Sequence, residues 1–183
     1  LLDEAHSFGI IGENGKGIAH KESLINGVDF LMTTFGKSAG AAGAVTISSR
    51  TWIKLILNRA RSFIYSTAPM PSQAAGALAG LKLIRGSAGE ERRISLHRNI
   101  AHLCNELKIP KPLGAIIPLI IGDELDALRI SEKLHNTGIL APAIRYPTVS
   151  KGSARIRITI SANHSEKDIA FLAETIKRLL ICT

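Results

Sequence analysis

Apolar and polar positions along this chain switch between two periods, and the switches mark out its elements. Residues 28–32 form a short apolar run closing on Thr33 and Thr34, as in a buried strand. Residues 44–47 return as a second strand, and 51–59 carry a helical pattern. Residues 62–67 read as extended, with Pro69 and Pro71 closing the segment off. From Ser72 the texture is helical and rich in Ala and Leu. It is interrupted at 86–89, continues to Leu107 and ends before Pro110 and Pro112. Residues 115–121 are β-like, and Pro118 among them favours an edge strand. Asp123 caps an amphipathic helix carrying Leu125, Leu128 and Leu134, with Gly138 just past its end. Residues 155–160 alternate strictly, like a half-buried strand. Ser165 and Asp168 form a capping box for a last helix striped by Ile169, Leu172, Ile176 and Leu179.

Strands and helices alternate throughout, so the fold class is α/β or α+β, with the helical segment 72–107 as the join between two lobes. At 183 residues and 45% apolar content the chain can bury a substantial core. It does not begin with Met, and Leu1-Leu2-Asp3 reads as the end of a buried strand, so a piece of a larger protein is expected.

A net charge of +8 raises the question of nucleic acid, but Lys and Arg are scattered and aromatic residues make up only 4%. A solvated basic surface that suits anionic substrates is the better account. Cys104 and Cys182 lie far apart without metal-ligand spacing, which suggests neither a disulfide framework nor a metal site. No apolar run has the length of a bilayer span and no signal peptide is visible, so a cytoplasmic setting without membrane contact is the default expectation.

Two strings carry chemistry. In Leu1-Leu2-Asp3-Glu4-Ala5-His6 a carboxylate ends an apolar strand, where open α/β sheets place ligand contacts. The plain structural alternative is a strand-ending turn with a capping Asp. The same four letters DEAH occur in helicases, but the phosphate loop those require is absent from the sequence. In Thr33-Thr34-Phe35-Gly36-Lys37-Ser38-Ala39-Gly40, small residues leave room around the Lys37 ammonium and favour its desolvation, which suits Schiff-base chemistry. Thr34 offers a hydroxyl to a phosphate nearby; the alternative is an ordinary surface lysine. Taken together, an acid at a strand end and a lysine on the following strand-loop match the pyridoxal 5'-phosphate (PLP) arrangement of ring-nitrogen partner and imine-forming amine.

With these strings in place, DEAHSFGIIGENGKG, TTFGKSAGAAGA, IYSTAPMPSQAAGALAGLKLI and AIRYPTVSKGSARIRITISANHSEKDI resemble the α-oxoamine synthases, in family order and over nearly the whole chain. These are fold-type-I PLP enzymes that condense an amino acid with an acyl-CoA and release CO2. The resemblance implies the C-terminal part of a PLP-dependent transferase fold. Residues 1–80 would end the large mixed-sheet cofactor domain, and 81–183 would form a small α+β domain. It assigns Asp3 to the pyridine nitrogen, His6 to the phenolic oxygen, Thr34 to the phosphate, and Lys37 to the Schiff base and to proton transfer at the substrate Cα. Ser66 and Thr67 would reach a phosphate across a homodimer interface. Thr148 would contact substrate, and Arg157 would hold the substrate carboxylate, for which its planar fork is suited.

Without the resemblance, a solvated strand face is the plainer account of Arg155 and Arg157, and a salt bridge the simpler account of Arg145. His20, His97, His102, His135 and His164 show no pairing in the sequence. Within the family the AIRYPTV string favours the member activity that joins alanine to a pimeloyl thioester, carried on CoA or a carrier protein, for biotin synthesis. Transfer of acetyl to glycine is the runner-up. A non-catalytic partner subunit is the third possibility; such subunits tend to lose the Schiff-base lysine, and Lys37, Asp3 and His6 are all present. The family's stacking aromatic ring, phosphate loop and N-terminal substrate arginine are not among these residues, so the 183 residues alone are expected to bind PLP poorly. The stretch between His6 and Lys37 is slightly longer than the family pattern, and Ser150 stands where a proline often follows Thr-Val.

Overall fold

A computed structural model describes residues 1–181; Cys182 lies outside the described residues. Contacts divide the chain into a unit Leu1–Arg93 and a second from Ile94 onward, the boundary falling inside one helix.

In the first unit β1 (Leu2–Asp3) runs parallel to β2 (Phe30–Thr34), with Asp3 beside Met32, and β2 pairs antiparallel with β3 (Ala44–Ser48). The strand expected from Val28 starts at Phe30 and takes in both threonines. The crossover from β1 to β2 carries the short helix α1 (Ile18–Lys21) and two single turns of 3-10 helix. Helix α2 (Arg50–Arg59) begins on Ser49, whose hydroxyl accepts the Trp52 N–H, and Trp52 sets its ring 5.5 Å from that of Phe30.

Residues 62–67 are not extended as their β-branched and aromatic content suggests. Residues Arg61–Ile64 form a helical turn, α3, in which the N–H groups of Ile64 and Tyr65 bond back to Ala60 and Arg61. A strand preference acts only through neighbours on a sheet, and the β1-β2-β3 sheet offers this segment none. Pro71 likewise opens a helix rather than closing a strand. It stands at the first position of α4 (Pro71–Arg85), where its missing N–H loses no intrahelical bond. The break expected at 86–89 narrows to Gly86 alone, and α5 (Ser87–Leu107) starts at once. Gly89 belongs inside α5 because any Cβ there would run into the Leu83 and Ile84 carbonyls. The helix ends three residues before Pro110, as Lys108 turns left-handed at φ 53° and the Ile109 N–H bonds back to Cys104.

The second unit has an antiparallel sheet in the order β4-β6-β5, from β4 (Ile116–Gly122), β5 (Ala143–Ile144) and β6 (Ala154–Thr159). Pro118 therefore sits on an edge strand, as its missing donor requires. The alternation of β6 buries Ile156 and Ile158 on one face and leaves Arg155 and Arg157 half-buried on the other. Ile100 and Leu103 of α5, together with residues of α6 (Glu124–Asn136) and α7 (Glu166–Ile181), complete the core. On α6 the buried stripe is Ala127, Ile130 and Leu134; Leu125 and Leu128 lie outside it and are 62% and 40% exposed. The core-facing arc of α6 thus passes through Ala127, a residue that apolar counting overlooks. Asp123 accepts the Leu125 and Asp126 N–H groups, and Gly138 follows the helix at φ 87°. Asn99 on α5 donates to the Ser161 and His164 carbonyls, and Lys177 meets Glu106 at 2.6 Å.

The capping box of α7 is formed as expected: the Ser165 N–H and hydroxyl both donate to Asp168 at 2.8 Å, and the Asp168 N–H returns to the Ser165 oxygen. The Ser165 donors hold the Asp168 carboxyl below its ordinary value. Because the folded-state value is the lower one, the cap contributes fully above the unfolded Asp value of about 3.9 and is lost as pH falls through the folded value. Asp168→Asn should therefore flatten the fall of Tm below about pH 4, seen by comparing melting curves with wild type. Asp123→Ala should cost about 1 kcal/mol in denaturant unfolding by leaving two N–H groups of α6 uncapped.

Candidate active site

Asp3 ends β1, Thr34 ends β2, and Lys37 follows in the loop after β2. Since β1 and β2 are parallel, their C-terminal ends share one edge of the sheet, where open α/β sheets hold ligands. The structure thus brings the DEAH segment and the Lys37 loop to one edge of the first unit. Thr148 and Arg157 belong to the second unit.

The DEAH segment is fixed by its second residue. Glu4 is 1% exposed, and its two carboxylate oxygens accept the Ile18 and Ala19 N–H groups at 2.9 and 2.7 Å. Its own N–H bonds to the Met32 carbonyl, continuing the pairing of β1 with β2. Gly17, at φ 96°, is required there, since a Cβ would collide with the Glu4 carboxylate. Asp3 and His6 flank this anchor and are both exposed. Asp3 Oδ1 accepts the Ala5 N–H at 2.8 Å, so the strand-ending turn foreseen as the plain alternative is present. One oxygen of the Asp3 carboxylate thus shapes that turn.

The Lys37 loop closes on itself. The Phe35 N–H bonds to Gly43, Ala41 to Phe35 and Gly40 to the Lys37 carbonyl. Lys37 is exposed rather than desolvated: the surrounding small residues give its ammonium room and bury nothing over it. Its Nζ has no hydrogen-bond or ion-pair partner among the described residues. Thr34 donates to the Gly43 carbonyl at 3.0 Å and accepts from the Gly36 N–H, so its one O–H must turn from Gly43 to serve a phosphate. Ser38 donates to the Phe8 carbonyl at 2.7 Å and joins this loop to the DEAH segment. Helix α4 lies against the loop, and Gly80 permits it: a Cβ there would strike the Ala39 carbonyl.

Ser66 and Thr67 are exposed just after α3, and the Ser66 hydroxyl donates to the Ser62 carbonyl. In the second unit, exposed Thr148 lies in a turn closed by its N–H on the Arg145 carbonyl, after a cis Tyr146–Pro147 peptide. Ser150, in place of the family's proline, accepts the Ser153 N–H. Arg157 is half-buried, and its guanidinium makes no hydrogen bond or ion pair among the described residues, whereas Arg155 donates to the Ser153 carbonyl. The salt bridge expected for Arg145 does not form among the described residues, because no carboxylate comes within reach. Of the histidines without a pairing in the sequence, His20 lies 3.3 Å from Lys16 Nζ, and His164 Nδ1 accepts the Ser161 N–H. Among the described residues no cluster of His, Cys, Asp or Glu is arranged to hold a metal ion, and no helix is long and apolar enough to cross a membrane.

The sequence profile of the family described as aminotransferase class I and II matches residues 1–176. The chain belongs to the aminotransferase class I and II family. Among relatives of this family member, it is 43% identical to the 8-amino-7-oxononanoate synthase of Acidithiobacillus ferrooxidans, covering 98% of this chain and 47% of that protein. The Marinomonas enzyme of the same name is 40% identical, over 98% of this chain and 46% of that one. Among solved structures, that of SPT with its PLP internal aldimine superposes with a TM-score of 0.88 at 26% identity, over 97% of this chain and 46% of that one. The 8-amino-7-oxononanoate synthase of Francisella tularensis superposes at 0.83 and 28%, over 97% and 53%. The chain spans about half the length of the curated relatives it matches, and its fold is a corresponding part of the PLP-dependent transferase fold.

Sequence reasoning overlooked Glu4, Ser38 and Gly80. The one local signal was an acid beside the strand-ending Asp3, with a glycine-rich loop running into a helix start at Ile18. Glu4→Ala should lower stability by roughly 3 kcal/mol, since one buried and one part-buried N–H group lose their carboxylate acceptor; a denaturant titration reads this directly.

Proposed function

We propose that this chain supplies the Schiff-base lysine and ring-nitrogen acid of a PLP-dependent acyltransferase, one that condenses an amino acid with an acyl thioester and releases CO2. Placement of Asp3, His6, Thr34 and Lys37 at one edge of a parallel strand pair carries the reading. When bound, PLP supplies the electron sink that makes a carbanion at the substrate Cα accessible. The donor set fits that group: among the described residues Lys37 Nζ has no partner and is exposed, and only one Asp3 carboxylate oxygen is engaged, by the Ala5 N–H.

In this reading Asp3 holds a proton on the ring nitrogen, His6 faces the phenolic oxygen, and the Thr34 hydroxyl faces the phosphate. The Lys37 amine would also move the proton at the substrate Cα. The unpaired, half-buried guanidinium of Arg157 serves the substrate carboxylate, and Thr148 contacts the substrate. Ser66 and Thr67 reach a phosphate of a second copy in a homodimer, a role supported by the exposed Phe63, Tyr65 and Met70 around them.

Names shared by relatives at about 40% identity favour L-alanine and a pimeloyl thioester as substrates, with 8-amino-7-oxononanoate as product. The test uses the protein as its cell makes it, offered alanine or glycine with pimeloyl-CoA or acetyl-CoA while CoA release is followed. Alanine with pimeloyl-CoA should react fastest; preference for glycine and acetyl-CoA would overturn the substrate assignment. Lys37→Ala should abolish the Schiff-base absorbance of the PLP-loaded protein, and its persistence would remove Lys37 from the role.

A further inference from the structure

The Ser38 hydroxyl joins the Lys37 loop to the segment holding Asp3 and His6: it donates to the Phe8 carbonyl at 2.7 Å, part-buried. Both sides of that contact are shaped for it. Phe8 is placed by its N–H on the Glu4 carbonyl, one turn beyond Asp3. Gly9 follows at φ 78°, and a Cβ there would stand 2.5 Å from Ser38 Oγ and 3.2 Å from the Ile84 side chain. Helix α4 covers the junction with two residues one turn apart. Gly80 comes onto the Ala39 carbonyl, and buried Ile84 lies against Gly9 and Gly15.

We infer that Ser38 is a positioning residue that sets where the Lys37 amine stands relative to Asp3 and His6, an inference that rests on the proposed Schiff-base role of Lys37. The physical ground is adjacency. Lys37 is exposed and its ammonium is unheld, so its reach is governed by the backbone that carries it. On its N-terminal side that backbone is held by β2 and by the loop's own bonds. On its C-terminal side the next residue is tied across to Phe8, which the Glu4 turn places with Asp3 and His6. Removal of the hydroxyl frees the loop, and Lys37 with it, to shift away from the acid and imidazole while leaving β2 and α4 in place.

The test uses the protein as its cell makes it, loaded with PLP, as wild type, Ser38→Ala, Ser38→Thr, Gly9→Ala and Lys37→Ala. Two quantities are read without turnover: the pH midpoint of the Schiff-base absorbance and the rate of cofactor loss on gel filtration. Ser38→Ala should move the midpoint by about half a pH unit or more and speed cofactor loss about fivefold, the scale of one lost hydrogen bond. Gly9→Ala, which crowds the same oxygen from the other side, should move both readings the same way, and Ser38→Thr should restore them. Wild-type readings for Ser38→Ala, with the absorbance lost in Lys37→Ala, would overturn the positioning role and leave the Lys37 reading standing. Absorbance retained in Lys37→Ala would overturn both. A Ser38→Ala protein that loses its helical circular dichroism together with its cofactor would assign the hydroxyl to folding and overturn the positioning role.

Discussion

A carboxylate taken out of water must find hydrogen-bond donors, and Glu4 finds them in two consecutive N–H groups at the start of α1, fourteen and fifteen residues further along the chain. That one demand organises the candidate site. It folds the glycine-rich crossover back against the end of β1 and excludes any side chain at position 17. It also holds the residues on either side of Glu4 in fixed relation to β2, through the Glu4 N–H on the Met32 carbonyl. Asp3 and His6 stay exposed while the residue next to Asp3 is buried and holds the segment in place.

The two units satisfy burial differently. From Ile94 onward, branched aliphatic residues of three helices and the central strand fill a core of their own, with Ile100, Leu103, Ile156, Ile169 and Ile176 almost fully buried. In Leu1–Arg93 the buried apolar residues are mostly small, as with Ala5, Ala19, Ala39 and Ala77, while Trp52, Phe63, Tyr65 and Met70 remain exposed. Small residues suit close backbone approach more than bulk burial. This is the part of the chain in which Gly80 and Gly89 let helix meet loop and helix meet helix at distances that a Cβ would forbid.

Side-chain groups that are held and side-chain groups that are left open also separate cleanly. Ser38, Glu4 and Asn99 spend their polar atoms on backbone partners far away in sequence. Lys37 and Arg157 keep theirs uncommitted among the described residues, one exposed and one half-buried. A cation held by backbone geometry and unpaired among the described residues is open to a ligand, a feature that Lys37 and Arg157 share.

The sequence by itself determined what short-range physics controls. Strict alternation in β6, the Ser165–Asp168 box and the Asp123 cap each depend on residues within a few positions of one another. The expectation that Asp3 and Lys37 act together came from two strings, each weak alone, that match one chemistry; the structure places both at the C-terminal edge of β1 and β2. Only the tertiary structure decided the rest. Residues 61–64 wind into a turn because a β preference has no force without a strand to pair with. Leu125 and Leu128 face outward because the axis of α6 turns Ala127 to the core. Lys37 is roomy but not desolvated, since burial depends on what packs over a residue and not on the size of its neighbours in sequence. Ser38 meets Phe8 across thirty positions of chain, a contact with no period and no motif, because what creates it is the parallel alignment of β1 with β2.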